Sequence, residues 1–421
     1  MEQQKPESLG LSPTRLERLT QWTRDQVNSE RLAGCSVMVA RHGAIGYEHH
    51  EGFADKGIER PFERDTIVRI YSMTKPITTV AAMMLYERGC FQLDDRVSDY
   101  IPAFADTPVW TGGDLSNTEP QRSPMLVRHL MSHTSGLTYG FMQANEVDAA
   151  YRANGADFFP ASKKLSEVVD GLASIPLLSQ PGSQWNYSVS TDVLGRLVEI
   201  WSGMSLEAFF QQEIFKPLGM HDTGFYVQPV NHGRFAALYV PSSGETLGSI
   251  GNARTDSGPK PTGYKEQESA SQSPYLSPVE LHSGGGGLTS TLDDYITFCQ
   301  MLLSGGALDG VRLLSPKTVQ YMRTNQLPGN RDMAAMGQPV WSETSYEGIG
   351  FGLGFAVVLD PVAANVITSP GEHHWGGAAS TFFWIDPMED LVVVFFTQLM
   401  PSSMYPLRRE LRVRVYQSIV E

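Results

Sequence analysis

Tyr71-Ser72-Met73-Thr74-Lys75-Pro76 is the stretch from which the rest of the chain can be organised. Behind it, Ile77, Val80, Ala81, Met84 and Leu85 recur at helical spacing as far as Glu87, and Gly89 stands where a helix C′ residue belongs. Ser72 and Lys75 are thus i and i+3 on one helical face, with the lysine beside the hydroxyl. A helix N-terminus offers free N–H groups and positive potential. That potential disfavours a protonated lysine, so Lys75 is a candidate base toward Ser72. The spacing alone is weak. Ser257-Gly258-Pro259-Lys260 repeats it in a loop without a helix and reads as chance, and a plain helix cap also explains Ser72.

Working outward, Ser12-Pro13 reads as an N-cap with proline at the first helical position. Leu16, Leu19 and Trp22 to Val27 give that helix an apolar face to about Leu32. Cys35–Ala40 and Ala44–His49, joined by Arg41-His42-Gly43, form a hairpin signal. Ser380–Asp386 and Leu391–Gln398 form a second hairpin, and Leu407, Leu411, Val415 and Ile419 mark a final helix. Between Lys75 and Gly285 β-rich runs are few; helices are expected over Asp192–Trp201 and, just beyond, Leu292–Leu303. The expectation is an α+β fold: an α/β lobe with a central antiparallel sheet, built from residues 1–75 and 285–421, and an inserted mostly helical lobe over 76–284. Ser242–Ser273, rich in Gly, Ser and Pro, reads as a long surface loop.

Composition narrows the function. The 421 residues carry 32 Lys+Arg against 46 Asp+Glu, a net charge of −14, which repels phosphate backbones and anionic membranes. No nucleic-acid or membrane partner is expected, and the longest apolar run, Val80–Tyr86, is far too short to span a bilayer. The N-terminus lacks the basic start and apolar run of a secretory signal, so a cytoplasmic location is the expectation. Three cysteines with no C-x-x-C pair suggest neither a disulfide framework nor a zinc site. His373 and His374 fall on opposite strand faces, and Glu48-His49-His50 lacks H-E-x-x-H spacing and reads as surface. No metal and no cofactor are expected. Nothing in the sequence marks an oligomer interface.

Four further segments give the Ser72 motif its context. They are Leu130-Met131-Ser132-His133-Thr134-Ser135-Gly136-Leu137, Pro181-Gly182-Ser183-Gln184-Trp185-Asn186-Tyr187-Ser188, Gly285-Gly286-Gly287-Leu288-Thr289-Ser290-Thr291-Leu292-Asp293-Asp294, and His374-Trp375-Gly376-Gly377-Ala378. Together and in this order they resemble the serine β-lactamase/penicillin-binding-protein superfamily, and most closely its family VIII carboxylesterases. The resemblance runs from about Leu11 to the C-terminus. It implies Ser72 as the acylated nucleophile, Lys75 and Tyr187 as the base pair, and the N–H groups of Ser72 and Ala378 as the oxyanion hole. Such donors stabilise a tetrahedral intermediate by about 3 kcal/mol each.

The chemistry is coherent, because a tyrosine near an ammonium ionises more readily and a phenolate can take the serine proton. Which of Lys75 and Tyr187 is the base stays open. Gly376 and Gly377 read as an exposed strand that lets substrate approach the backbone. Trp375, Tyr139 and Phe141, with Met142, Tyr151, Phe158, Phe159 and Trp341, are candidate walls of an apolar pocket or, equally, core. His133 reads as a turn residue bonded to the backbone, and Asp293 and Asp294 as serving a helix N-terminus.

Two departures bear on substrate. Val189 occupies the third position where β-lactamases carry Y-x-N, and Trp375 replaces the cation of their Lys/His-Thr-Gly element. The expectation is therefore a serine carboxylesterase acting on a small-molecule ester. The alternatives are a β-lactamase-like enzyme, an acyltransferase, an amide or peptide hydrolase, or a non-catalytic ligand-binding member. There is no G-x-S-x-G, which sets aside an α/β-hydrolase elbow.

Overall fold

Successive apolar residues along the strands go to opposite faces of one sheet, and both faces are covered. Val37, Val39, Phe382, Trp384, Val393 and Phe395 join one buried cluster, whereas Met38, Ala40, Phe383, Ile385, Val392, Val394 and Phe396 join another. This two-sided burial explains why both hairpins read as nearly continuous apolar runs. The computed structural model describes residues 1–157, 162–245, 261–337, 346–402 and 404–421.

The sheet has eight antiparallel strands: β1 (Gly34–Arg41), β2 (Ala44–Asp55), β3 (Arg60–Pro61), β4 (Ile349–Phe351), β5 (Ala356–Val358), β6 (His373–Gly376), β7 (Phe382–Asp386) and β8 (Leu391–Thr397). Their order is β4-β5-β6-β7-β8-β1-β2-β3, so the two chain ends meet at β8 and β1, with Val37 opposite Phe395. On the outer face lie helices α1 (Pro13–Asn28) and α5 (Leu407–Tyr416), whose Leu16, Leu19, Trp22, Leu411 and Val415 fill the second cluster. Ser12 caps α1 by accepting from Arg15 N–H, with Pro13 in its first turn. Both helices stop short of their apolar patterns, α1 before Leu32 and α5 before Ile419. Ile419 instead bridges back to Leu11.

The inner face carries α4 (Leu292–Leu303), and α2 (Thr74–Glu87) and α3 (Ser190–Ser202), packed on each other, share its buried cluster. Helix α2 departs from the amphipathic pattern of its sequence: every residue from Thr74 to Leu85 is buried. Its polar members are satisfied internally, Thr78 donating to Gly284 O at 2.7 Å and Thr79 to Lys75 O at 2.9 Å. A helix buried all round belongs at the centre of a fold, and here it carries the candidate nucleophile into that centre.

Two features of the middle differ from expectation. Short strand pairs interrupt it, Val109–Trp110 with Thr118–Glu119 and Leu238–Pro241 with Tyr264–Glu268. Tyr264–Glu268 falls within the stretch read as a loop, and Glu268 anchors it by pairing with fully buried Arg69. Residues 246–260, including Ser257 to Lys260, lie outside the described residues. No helix among the described residues is long and apolar enough to cross a membrane.

Candidate active site

The segment before Ser72 is clamped from the far side of the fold. Val68–Arg69 pairs with Thr289–Ser290, and Ile70 N–H donates to Leu288 O at 3.0 Å. Tyr71 then takes φ +43°, a left-handed conformation costly for a non-glycine residue. Ser72 follows in a short 3-10 turn that leads into α2, its own side half-buried between buried Tyr71 and Met73. Tyr295 hydroxyl donates to Met73 O at 2.8 Å, fixing the turn from α4.

Lys75, fully buried, places Nζ 3.1 Å from Ser72 Oγ, as the i, i+3 spacing requires. Nζ also donates to the Tyr139 hydroxyl at 3.0 Å and to Gly285 O at 2.7 Å. Three acceptors therefore match the three protons of an ammonium. Tyr187 comes from the segment leading into α3, and its hydroxyl donates to Ser72 Oγ at 2.5 Å. Lys75 Nζ lies 4.7 Å from the centroid of the Tyr187 ring. Burial raises the Tyr139 phenol well above its ordinary range, with nearby Asp192 adding to the effect, so it stays neutral.

The opposite wall is the end of β6. A side chain on Gly377 would run into Ile70 O and Thr381 Oγ1, so glycine allows this strand to lie against the nucleophile segment. Gly377 N–H is spent on Thr381 O at 2.8 Å, whereas the N–H of half-buried Ala378 has no partner among the described residues. The reading of Gly376 and Gly377 as an exposed strand is corrected here. β6 is interior to the sheet, both glycines are buried, and a side chain on Gly376 would meet the Arg408 guanidinium. Their small size serves close packing rather than an open surface.

Trp375 sets its ring 5.4 Å from Tyr187 and edge-on to Phe351 at 5.2 Å. Its Nε1 is buried without a partner among the described residues. Tyr139 stacks on half-buried Phe141 at 4.5 Å, but it is only 5% exposed and bonded to Lys75, so it belongs to the lysine's surroundings. Tyr151 is core, and Phe158, Phe159 and Trp341 lie outside the described residues.

His133 is structural, though not through the expected backbone bond. Its Nδ1 shares a 3.0 Å hydrogen bond with Ser188 Oγ, and the chain continues through Ser190 to Ser135. Burial, reinforced by the Lys75 charge, holds this imidazole well below its usual range, hence neutral. Asp293 pairs with Arg64 at 2.6 Å, and Asp294 accepts from Asp222 N–H and Thr223 Oγ1, each at 2.8 Å. Thr291 caps α4, and both aspartates lie in its first turn. His49 and His50 are half-buried on β2, bonded to Glu51 and Glu48. Among the described residues no group of three or more His, Cys, Asp or Glu is placed to hold a metal ion.

Sequence reading missed Asp192 and the Gly285 carbonyl. Asp192 looks like an ordinary first-turn acid of α3, yet it is 1% exposed and bonded to Gly285 N–H at 2.9 Å. The available signal was the glycine run itself, since backbone without side chains invites close approach.

A helix-flanked antiparallel sheet that brings a serine, a lysine and a tyrosine together at the head of a buried helix defines a serine hydrolase of the β-lactamase type. The family model described as Beta-lactamase matches residues 19–417. Esterase EstB of Burkholderia gladioli is 32% identical over 396 residues, covering 93% of this chain and 92% of that protein. Monacolin J acid methylbutanoyltransferase of Aspergillus terreus is 28% identical over 401 residues, covering 90% and 89%. The solved structure of EstCE1, described as a hydrolase with promiscuous acyltransferase activity, superposes with a TM-score of 0.77 at 30% identity, covering 96% of this chain and 99% of that one. The chain belongs to the beta-lactamase family, within its family VIII esterase branch.

Proposed function

We propose that the protein is a serine carboxylesterase that hydrolyses small to medium acyl esters through an acyl-enzyme on Ser72. The observation that carries this reading is that Ser72 Oγ takes hydrogen bonds from Tyr187 at 2.5 Å and Lys75 at 3.1 Å. Lys75 and Tyr187 together take the serine proton as Oγ attacks the ester carbonyl. The amides of Ser72 and Ala378 receive the developing oxyanion. Collapse of the tetrahedral intermediate breaks the ester C–O bond, and the alcohol leaves with the proton held by the pair. Water then attacks the acyl-serine by the same route and releases the acid.

Neutral esters suit a site where Trp375 stands in place of a carboxylate-binding cation. The name of Esterase EstB supports ester chemistry, and the description of EstCE1 as a hydrolase supports transfer of the acyl group to water. Transfer of the acyl group to an alcohol instead of water is the second reading, favoured by the acyltransferase among the relatives. A fluorophosphonate should label the wild type and not Ser72→Ala, and p-nitrophenyl esters should turn over much faster than a chromogenic cephalosporin. An unlabelled wild type would remove Ser72 as nucleophile, and the reverse rate order would favour a lactamase. An added alcohol that diverts product from acid to ester would establish the second reading.

A further inference from the structure

Asp192 lies in the first turn of α3, five residues beyond Tyr187, and nearly all of it is buried. Its Oδ1 accepts from Ser283 Oγ at 2.5 Å and from Gly285 N–H at 2.9 Å. Its Oδ2 is buried with no hydrogen-bond partner among the described residues. The carbonyl of the same Gly285 accepts from Lys75 Nζ at 2.7 Å. One backbone unit thus carries the carboxylate on its N–H and the lysine on its C=O. A side chain on Gly285 would collide with Asp192 Oδ2 and come within 3.1 Å of the Tyr139 hydroxyl. The free carboxylate oxygen and the phenol that binds Lys75 therefore converge over one Cα.

A buried carboxylate with half its acceptors unused is costly unless a positive charge compensates it. The groups around it identify that charge. α2 presents Lys75, the segment before α3 presents Tyr187, and the turn at 133–139 presents neutral His133 and neutral Tyr139. Leu165 and Leu206 meet α3 at Gly195 with apolar side chains, and the Gly284–Gly287 run has no ionisable group. Burial raises Asp192 to about 6 even against the pull of the Lys75 charge, so it is mostly ionised at neutral pH. The attraction is mutual: what favours the carboxylate favours the ammonium.

We propose that Asp192 is a positioning residue whose charge holds Lys75 as the ammonium, leaving Tyr187 to carry the Ser72 proton. The proposal rests on the Ser72 acyl-enzyme reading. The Tyr187 hydroxyl gives its own proton to solvent beside the Lys75 ammonium, and in acylation the resulting phenolate takes the Ser72 proton as the Oγ–carbon bond forms. Tyr187 returns it to the leaving alcohol as the ester C–O bond breaks, and Lys75 keeps its three protons throughout.

The test is Asp192→Asn in the full chain, which retains an oxygen for Ser283 and Gly285 while removing the charge. Two readouts are taken, fluorophosphonate labelling of Ser72 and the pH profile of kcat/KM for p-nitrophenyl acetate. Labelling should persist, kcat/KM near neutrality should fall about tenfold or more, and the alkaline limb should move to lower pH by about one unit or more. That limb reports loss of the Lys75 proton. A residue that only braced the glycine loop would lower activity at every pH and leave the limb in place, and that result overturns the proposal. Should Asp192→Asn fail to fold, Asp192→Ser decides. It removes the same charge with a smaller side chain, so the limb should again move to lower pH, and an unmoved limb overturns the proposal. A wild type that is not labelled defeats the Ser72 reading itself and is thereby distinguished from either result.

Discussion

Lys75 donates to the Tyr139 hydroxyl across 3.0 Å, so a second phenol, besides that of Tyr187, is built around the lysine that bonds Ser72. Tyr139→Phe keeps the ring stacked on Phe141 and removes only that acceptor. A buried donor left without a partner costs about 1–3 kcal/mol. The expected outcome is a kcat lower by about tenfold with KM changed less than about twofold, since 1.4 kcal/mol is a factor of ten in rate. Steady-state kinetics on a p-nitrophenyl ester measures both. Wild-type kcat would return Tyr139 to the role of a simple pocket wall.

Tyr187→Phe tests the shorter of the two bonds to Ser72. The ring contacts to Trp375 and Tyr139 are preserved, and only the 2.5 Å hydroxyl contact is lost. Loss of a group that moves a proton in the transition state lowers kcat/KM by about 10²–10⁴. Stopped fluorophosphonate labelling should slow by a comparable factor, because the same serine must be activated. Near-wild-type labelling would take Tyr187 out of the mechanism.

The parts of this site legible in the sequence are those set by local geometry. Ser72 and Lys75 meet because i and i+3 share a helical face, and the hairpins declare themselves because β-branched and aromatic residues cluster between turns. Tyr187 and Ala378 are reachable only through resemblance, since residues 115 and 306 positions from Ser72 share no local pattern with it. What was not legible depends on which polar residues end up buried. Asp192 and Asp294 look alike as acids near a helix start, but Asp192 faces the lysine, whereas Asp294 ties α4 to the Asp222–Thr223 turn. Gly376 and Gly377 looked like an open edge because sequence does not say that Arg408 and Ile70 fill the space beside them. Burial of a polar group is a property of its tertiary neighbours, which periodicity does not report.

Gly377→Ala makes that last point measurable. The added methyl meets Ile70 O and Thr381 Oγ1, so the end of β6 must move away from the turn that holds Ser72. Because Ala378 is the next residue, its unpaired N–H moves too. Misplacing a catalytic group by about 1 Å costs on the order of 10²-fold. The expected result is a loss of kcat of that size in a protein whose circular dichroism matches the wild type. Unchanged kcat would show that the Ala378 amide does not receive the oxyanion.

A pH-dependent contribution to stability lies at the other end of the site's scaffold. His129, in the short helix Val127–Met131, accepts from Leu126 N–H through Nδ1 at 3.1 Å and packs beneath Gly182. Burial, with the Arg128 charge adding to it, lowers this imidazole to about 4. The sign follows from proton uptake. Between pH 6.5 and about 4 the unfolded chain binds a proton at His129 that the folded chain does not, so stability falls as pH is lowered through that window. His129→Gln retains an acceptor for Leu126 but does not titrate. In urea unfolding the wild type should therefore lose about 1.4 kcal/mol relative to the variant for each pH unit below 6.5, until the folded imidazole itself protonates. A stability difference that stays constant from pH 7.5 to 4.5 would show that His129 is not held neutral by the fold.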